Sequence, residues 1–527
     1  MSGLHLTPNG QFLKQSLDTI AHYETVQSQA GDQPTLNVPN VGSTFIMSYE
    51  QLRSVAENIE DHLLTQAAIR RFLRRNLVFT QTTNPLAREL VIELTQAGYL
   101  KNNTTELTKI TQIDTLIDSH LLLRNRLAQT NIPQHTYDRW LFDLLSVQIE
   151  QLLNNPLRIL SFAHFAHRFF SDRIDYSKAV GSDSDIPPSE LPKLLYIAIH
   201  KELLKSNDAN ARSGLMQLYK INLQDIHGFI TFNQAVDTYA AHPATARLSR
   251  VVAKNGAPLH VIKTSYFEKQ DDALGSPKIE SALKTETFIE SNIDRMYKAM
   301  KRTVTAGVIK SIMFLLLAYA VIGLVVQLPF EIITTGQIQT LPLVVNLVLP
   351  ILFLVISVVS YKKPAAINKE TLQKYIRSVI HADEHPVPTT LKYPSFAKKN
   401  YVFETVFMLT FILAFYLIIT RLAAFNYTIV EGVVFLFIFS VANFLGYRLT
   451  LHYRDIELVS TDQGFVAIIR NFLYLPFVFV GKRIVKRSEK FNVVALALDI
   501  AIDLPLKTVV RLIRQWLTFV QGKKDDM

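Results

Sequence analysis

The chain has 527 residues, no cysteine and a formal net charge of +10. The lack of cysteine excludes disulfides, thiolate metal sites and cysteine nucleophiles. With 49% hydrophobic and 19% charged residues, the chain is too apolar for a disordered protein and too charged for membrane helices alone, which indicates a soluble part joined to a membrane part.

Residues 1–275 predict a cytosolic domain that is mostly α-helical. The first thirty residues lack the apolar run of a secretory signal, so we expect the N-terminus to stay where it was made. Helical periodicity and Asn-Pro start signals recur along this part of the chain. The acidic, proline-containing residues 171–188 predict a loop at which the domain could divide.

Residues 247–267 are the exception to this helical pattern. Two runs rich in β-forming residues flank Asn255-Gly256, the strongest short signal for a hairpin. An isolated hairpin is marginally stable in water, so we expect this one to pack on helices or to pair with another chain.

Four arginines cluster at the end of one predicted helix: Arg70, Arg71, Arg74 and Arg75. Cations suit a helix C-terminus, so a solvated helix end explains them, while an anionic lipid or an acidic partner would also fit. No second basic surface accompanies them, so we predict no nucleic-acid partner.

The second half of the chain predicts a membrane domain over residues 311–447. A stalk helix at 276–310 leads into four apolar segments of about 20 residues, the length needed to cross a bilayer. They are residues 311–330, 341–361, 401–420 and 427–447, with a cytosolic loop at 362–400.

Lysine and arginine set the expected orientation. The loop at 362–400 carries eight of them, whereas the connection at 331–340 carries none. By the positive-inside rule the protein is a multi-pass protein of the cytoplasmic (inner) membrane with both termini in the cytosol.

Polar side chains within the apolar segments are costly and therefore informative. They include Asn346, Glu404, Arg421, Glu431 and Asn443. Arg421 and Glu431 fall near the outer surface and could pair with each other, Glu404 lies near the cytosolic face, and amides commonly link helices.

The tail, residues 448–527, predicts a surface that contacts anionic lipid. Segments 464–481 and 491–505 either lie at the interface or re-enter the membrane, and a pair of crossings is the alternative. Residues 506–520 predict an amphipathic helix with an apolar and a basic face. The expected lipid-binding residues are Lys482, Arg483, Lys486, Arg487, Lys507, Arg511, Arg514 and Trp516.

One histidine group has spacing that suits a metal. His381 and His385 would share one face of a helix, with Asp383 between them. Pro386 follows directly and a third ligand would come from elsewhere, so a solvated helix end is the simpler interpretation. The sequence predicts no cofactor.

No catalytic or nucleotide-binding motif accompanies this architecture. The sequence therefore favours a non-enzymatic scaffold or assembly factor, which presents its helical domain to protein partners or to further copies of itself. The alternatives are a subunit of an oligomeric channel or transporter and an interfacial lipid-modifying enzyme.

Overall fold

The computed structural model describes residues 5–29, 34–38, 63–79, 86–154, 156–176, 186–268, 286–359, 366–382, 390–393, 401–458, 474–485 and 516. Of these residues 83% are helical, and among them lie four helices long and apolar enough to cross a membrane. The predicted mostly-α fold with four apolar helices is therefore confirmed.

Eleven helices among the described residues form the N-terminal domain. They are α1 (Pro8–Gln29), α2 (Leu64–Phe79), α3 (Leu86–Gln96), α4 (Leu107–Leu127), α5 (Gln134–Leu153), α6 (Leu157–Ser171), α7 (Leu191–Glu202), α8 (Asp208–Leu218), α9 (Ile226–Ala241), α10 (Pro243–Asn255) and α11 (Ala257–Ile262). A short strand β1 (Ile174–Asp175) follows α6.

The largest hydrophobic core of the domain surrounds α6 and α7. Phe162, Phe165 and Phe169 lie on one face of α6 and have no exposed surface. Helices α1, α10 and α11 contribute to the same core. A second core lies among α2, α3, α4 and α5. Helical spacing of large apolar residues thus produces both cores.

The predicted hairpin at 247–267 is wrong, because these residues are helical. Helix α10 ends at Asn255, α11 follows at once, and Lys263–Phe267 forms a π-helical turn. Gly256 has φ −83°, whereas the hairpin turn that Asn-Gly favours needs a positive φ. Leu248 and Val252 are fully buried, so packing decides the structure of a segment whose residues favour strands.

The helix predicted as a stalk packs along the N-terminal domain. Helix α12 (Glu286–Ile322) continues through a π-helical turn, Gly323–Gln327, into α13 (Leu328–Thr335). Ile289, Ile293 and Met296 on its first half are buried in the largest core of the domain. The apolar face of this first half therefore packs against the N-terminal domain of the same chain.

The remaining apolar helices are α14 (Thr340–Val359), α16 (Tyr401–Ala424) and α17 (Ile429–Arg454). We call these three, with α13 and the apolar end of α12, the apolar bundle. Helix α17 lies at its centre, since 61% of the residues in its most apolar stretch are buried. The corresponding share is 17–28% for the other three membrane-length helices. The other helices leave many large apolar side chains exposed, as lipid-facing helices do.

Between α14 and α16 the chain forms a helix that returns to the N-terminal domain. This helix, α15 (Ala366–Ile380), contributes Leu372, Ile376 and Ile380 to the largest core. The strand β2 (Leu391–Lys392) then pairs in parallel with β1. This pair is the only sheet within the described residues.

A further helix, α18 (474–485), lies against the middle of α17. Phe477 contacts Phe439 with ring centroids 5.1 Å apart, and Phe415 of α16 at 4.8 Å. A Cβ atom at Gly481 would collide with the backbone oxygen of Ser440. This end of the segment predicted at 464–481 thus packs among the apolar helices, and residues 486–515, including 491–505, lie outside the described residues.

Candidate functional site

One site joins the N-terminal domain to the apolar bundle, and Asn368 is its centre. Asn368, on α15, is 1% exposed. Its Nδ2 donates to the Tyr297 hydroxyl at 3.0 Å and to the Ile456 carbonyl at 2.9 Å, while its Oδ1 accepts from the Leu458 amide at 2.7 Å. One buried amide therefore ties α12, α15 and the segment after α17 together. We call this set of contacts the docking hub.

Two further contacts reinforce the docking hub. Lys205, after α7, forms a 3.1 Å ion pair with Asp455, directly after α17. At the other end of α15 the Thr7 amide donates to the Ile380 carbonyl at 3.0 Å, and Gly10 packs so closely that a Cβ there would collide with the same oxygen. The domain is thus held against the bundle at several points rather than by a single linker.

A second site lies inside the apolar bundle, at the end near the connection between α13 and α14. Four polar side chains there have no exposed surface: Gln327, Glu331, Asn346 and Glu431. Gln327 Nε2 donates to Glu331 Oε1 at 2.9 Å, and Asn346 Nδ2 lies 3.3 Å from the Glu431 backbone oxygen. We call these four residues the polar cluster.

Local sequence explains how α17 presents Glu431. Thr428 caps the helix and Glu431 is its third residue, so the two form a capping box. The Thr428 amide donates to Glu431 Oε2 at 2.7 Å. Glu431 Oε1 is buried and finds no hydrogen-bond partner in the part of the chain that the structure describes. The cap therefore fixes a carboxylate at the helix start and leaves one of its oxygens available.

The structure brings together only some of the polar residues predicted within the bundle. Asn346 and Glu431 belong to the polar cluster. Asn443 is 1% exposed and its Nδ2 donates to the Phe439 carbonyl of its own helix. Glu404 and Arg421 are exposed on α16. No ion pair joins Arg421 to Glu431, both of which are described residues, because Glu431 instead caps its own helix.

Glu331 is the member of the polar cluster that the sequence did not reveal. It was assigned to a connection, since it follows the apolar run 311–330 directly. The helix continues to Thr335, and the side chain turns inward, where it also accepts from the Gln339 amide at 3.0 Å. The available signal was the single carboxylate in a connection that carries no lysine or arginine.

The four arginines of α2 do not share one surface. Arg70 pairs with Asp143 at 3.1 Å, and burial lowers the pKa of Arg70. Arg75 pairs with Glu93 at 2.6 Å. Arg71 is half-buried and Arg74 is exposed. Arg70 and Arg75 are thus engaged within the domain, and anion binding at this helix stays a prediction.

The remaining predicted sites fall largely outside the described residues. His381 is half-buried and pairs with Leu6 in an isolated bridge, whereas Asp383 and His385 are not described. Lys482 and Arg483 on α18 and Trp516 are exposed; Lys486, Arg487, Lys507, Arg511 and Arg514 are not described. Within the described ranges no three metal-binding side chains of the His, Cys, Asp or Glu type group together.

A buried histidine group occupies the core beside α7. His200 is 2% exposed, and its ring lies 4.7 Å from that of Tyr196. Burial lowers the pKa of His200 to about 3, and it also lowers the pKa of His164 and of His167. His167 Nε2 lies 3.0 Å from the Pro192 carbonyl. These rings are neutral core residues at neutral pH.

Comparison with protein-family models, with curated proteins and with solved structures gave no match for this chain.

Proposed function

We propose that the protein is a membrane-embedded scaffold that presents its helical N-terminal domain to partners in a fixed orientation. The docking hub is the observation that carries this proposal. A flexible tether would need one connection, whereas here α12, α15 and the residues after α17 all pack into the domain. Fixed presentation lowers the entropic cost of binding a partner at a defined angle.

An exposed apolar patch offers a surface for such a partner. Tyr23 and Val26 on α1 are 43% and 52% exposed, and Ile159 on α6 is 55% exposed. They flank a bidentate ion pair in which Arg158 donates to both Glu24 oxygens at 2.7 and 2.8 Å. Apolar side chains around a fixed charged pair favour a protein partner.

Affinity capture of the full-length protein after cross-linking in its native membranes tests the proposal. We expect a reproducible set of captured proteins that is lost with Ile159→Glu, because a charge in the patch would remain unpaired on binding. Leu122→Glu, at an exposed position on α4, is the matched control and should capture the same set. If the captured proteins are the same as those from untagged membranes, the scaffold proposal is refuted. If they are still captured with Ile159→Glu, the patch is not their binding surface.

We also propose that the termini, the N-terminal domain and α15 lie in the cytosol. The docking hub supports a position of the domain, α15 and the residues after α17 on the same side of the membrane. The lysines and arginines of 362–400 support the cytosolic side.

Accessibility labelling of single cysteines measures this orientation, and the cysteine-free chain needs no prior removal. Probes at Asn426 and Thr335 should react in intact cells. A probe at Lys374, whose side chain is 70% exposed on α15, should react only after permeabilisation. Labelling of Lys374→Cys in intact cells would contradict the orientation.

A second candidate function is a channel or transporter subunit, which the polar cluster favours because carboxylates inside a membrane mark ion pathways. Ion flux in proteoliposomes that disappears with Glu431→Gln would select it over the scaffold. Of the polar residues that the sequence offers for an ion path, Asn346 lies in the polar cluster, whereas Glu404 is exposed and Asn443 bonds within its own helix. The lipid-modifying enzyme stays a prediction that no described contact supports.

A further inference from the structure

The polar cluster gathers two carboxylates into one buried place, and the scaffold role does not use it. Asn346 connects its two halves, since Asn346 Nδ2 lies 3.4 Å from Gln327 Oε1 as well as 3.3 Å from the Glu431 backbone oxygen. The Tyr319 phenol interacts electrostatically with both Glu331 and Glu431. Its hydroxyl donates to Gln327 at 3.2 Å. The two acidic groups therefore belong to one site.

Helix geometry creates the space for this site. Gln327 ends the π-helical turn that begins at Gly323, and Pro329 follows within the first turn of α13. A proline removes one backbone hydrogen bond and crowds the carbonyl four residues earlier, which accounts for the wider turn. Such turns occur frequently at functional sites. Here the turn directs Gln327 and Glu331 towards α14 and α17.

The charges of the cluster call for a cation. N–H donors to a carboxylate stabilise its negative charge, and Glu331 accepts two such bonds, from Gln327 and Gln339. Glu431 accepts one, from Thr428. Buried negative charges are costly unless a positive charge compensates them. No lysine or arginine among the described residues makes an ion pair with Glu431.

The atoms that lack a partner show where the cation would sit. Glu431 Oε1 and Asn346 Oδ1 are buried on side chains with no exposed surface, and neither has a hydrogen-bond partner among the described residues. The same holds for the buried hydroxyl oxygen of Tyr427. All three atoms are oxygens, the ligand atoms that hard cations prefer.

We infer that the polar cluster binds a calcium-class divalent cation, with Glu431 and Asn346 as ligands and Glu331 as the second negative charge. Carboxylate and amide oxygens are the ligands of hard cations, and two carboxylates balance a divalent charge. Calcium accepts irregular shells of protein oxygens, whereas magnesium keeps its water and demands near-ideal octahedral geometry. A buried site of side-chain oxygens therefore favours calcium.

The ion has a short route to this site. Glu331 lies four residues before the end of α13, and Glu431 is the third residue of α17. The connection from Gly336 to Ile338 beside them is exposed. Access from the aqueous phase at this end needs no passage through the bundle.

Tyrosine-sensitised terbium luminescence tests the inference on the full-length protein in detergent. Tb³⁺ replaces Ca²⁺ at oxygen sites and emits when a nearby excited tyrosine transfers energy to it, here Tyr319 and Tyr427. We expect saturable emission that Ca²⁺ abolishes at much lower concentration than Mg²⁺. Glu431→Gln should weaken the apparent Ca²⁺ affinity at least tenfold. Glu404→Gln, at the exposed glutamate of α16, is the matched control and should leave it unchanged.

Thermal unfolding separates loss of the ion from loss of the fold. Ca²⁺ should raise the melting temperature of the wild-type protein above its value with a chelator, and this shift should vanish in Glu431→Gln and in Asn346→Leu. Absence of sensitised emission from the wild type overturns the inference, as does Ca²⁺ affinity that both variants retain. Neither result depends on whether partners are captured, so the scaffold is tested separately.

Discussion

Replacing Asp237 with alanine is expected to lower the free energy of unfolding of the N-terminal domain by about 3–5 kcal/mol, the cost of leaving a buried charge unpaired. Arg212 is 3% exposed on α8, and Asp237 of α9 accepts from its guanidinium. Asp237 Oδ2 also accepts from Trp140 Nε1 at 2.8 Å and from Arg139 at 2.6 Å. One carboxylate thus joins α5, α8 and α9.

Urea unfolding followed by Trp140 fluorescence measures this effect. The chain has two tryptophans, so Trp516→Phe makes Trp140, which is 1% exposed, the only reporter. Asp118→Ala, on the exposed face of α4, is the matched control and should change stability by less than about 0.5 kcal/mol. A loss below about 1 kcal/mol for Asp237→Ala would show that water and the remaining bond of Arg212 to Asn233 Oδ1, at 2.6 Å, are enough to compensate its charge.

A double variant tests the cause of the loss. Replacing a buried ion pair by apolar residues of similar size is often close to neutral, whereas removing one partner is not. Arg212→Met combined with Asp237→Leu is therefore expected to be more stable than Asp237→Leu alone. If the double variant is the less stable one, the shared bonds to Trp140 and Arg139 dominate.

The four apolar helices could be predicted from sequence because crossing a bilayer is a local requirement. Length and hydropathy fix it without knowledge of neighbouring elements. The predicted segments 341–361 and 427–447 correspond to helices Thr340–Val359 and Ile429–Arg454. The predicted and observed ends differ most for the segment at 311–330. There the helix continues beyond the apolar run and takes Glu331 into the bundle.

The hairpin at 247–267 failed because β propensity depends on context. Val251 and Val252 favour strands in isolation, yet at helical spacing they form the buried face of α10 together with Leu248. Pro243 at the helix start, with His242 as its cap, was the local signal for a helix. Tertiary packing decided between the two patterns.

How the residues of the two sites come together could not be predicted from the sequence, since each site depends on residues far apart in the chain. Asn368 meets a carbonyl 88 positions away, and Asn346 meets one 85 positions away. Single polar residues such as these carry no motif. Their importance follows from burial, which only the fold provides.

The buried histidines of the N-terminal domain should lower its stability as pH falls from about 6.5 to about 3, against an opposite contribution from Glu150, whose pKa burial raises to about 7. Burial lowers the pKa of His200 to about 3, while an unfolded histidine titrates near 6.5. In this interval each such histidine is protonated more fully in the unfolded chain than in the folded one, so its contribution to stability falls as pH falls, by up to about 1.4 kcal/mol per pH unit. The stabilisation is fully present above the unfolded pKa.

The variant His200→Asn isolates one residue of this dependence. Asparagine can keep the 2.8 Å contact between His200 Nδ1 and the Ser206 hydroxyl but takes up no proton. Between pH 7 and pH 4 the free energy of unfolding, measured by Trp140 fluorescence, should therefore depend less steeply on pH in the variant. The difference in slope corresponds to at most one proton taken up on unfolding. The other histidines whose pKa burial lowers maintain the rest of the slope: His120, His164, His167 and His260. His22→Asn, exposed on α1, controls for the loss of a histidine as such, since its ring is hydrated in both states. An unchanged slope in His200→Asn would mean that His200 takes up its proton within the folded core.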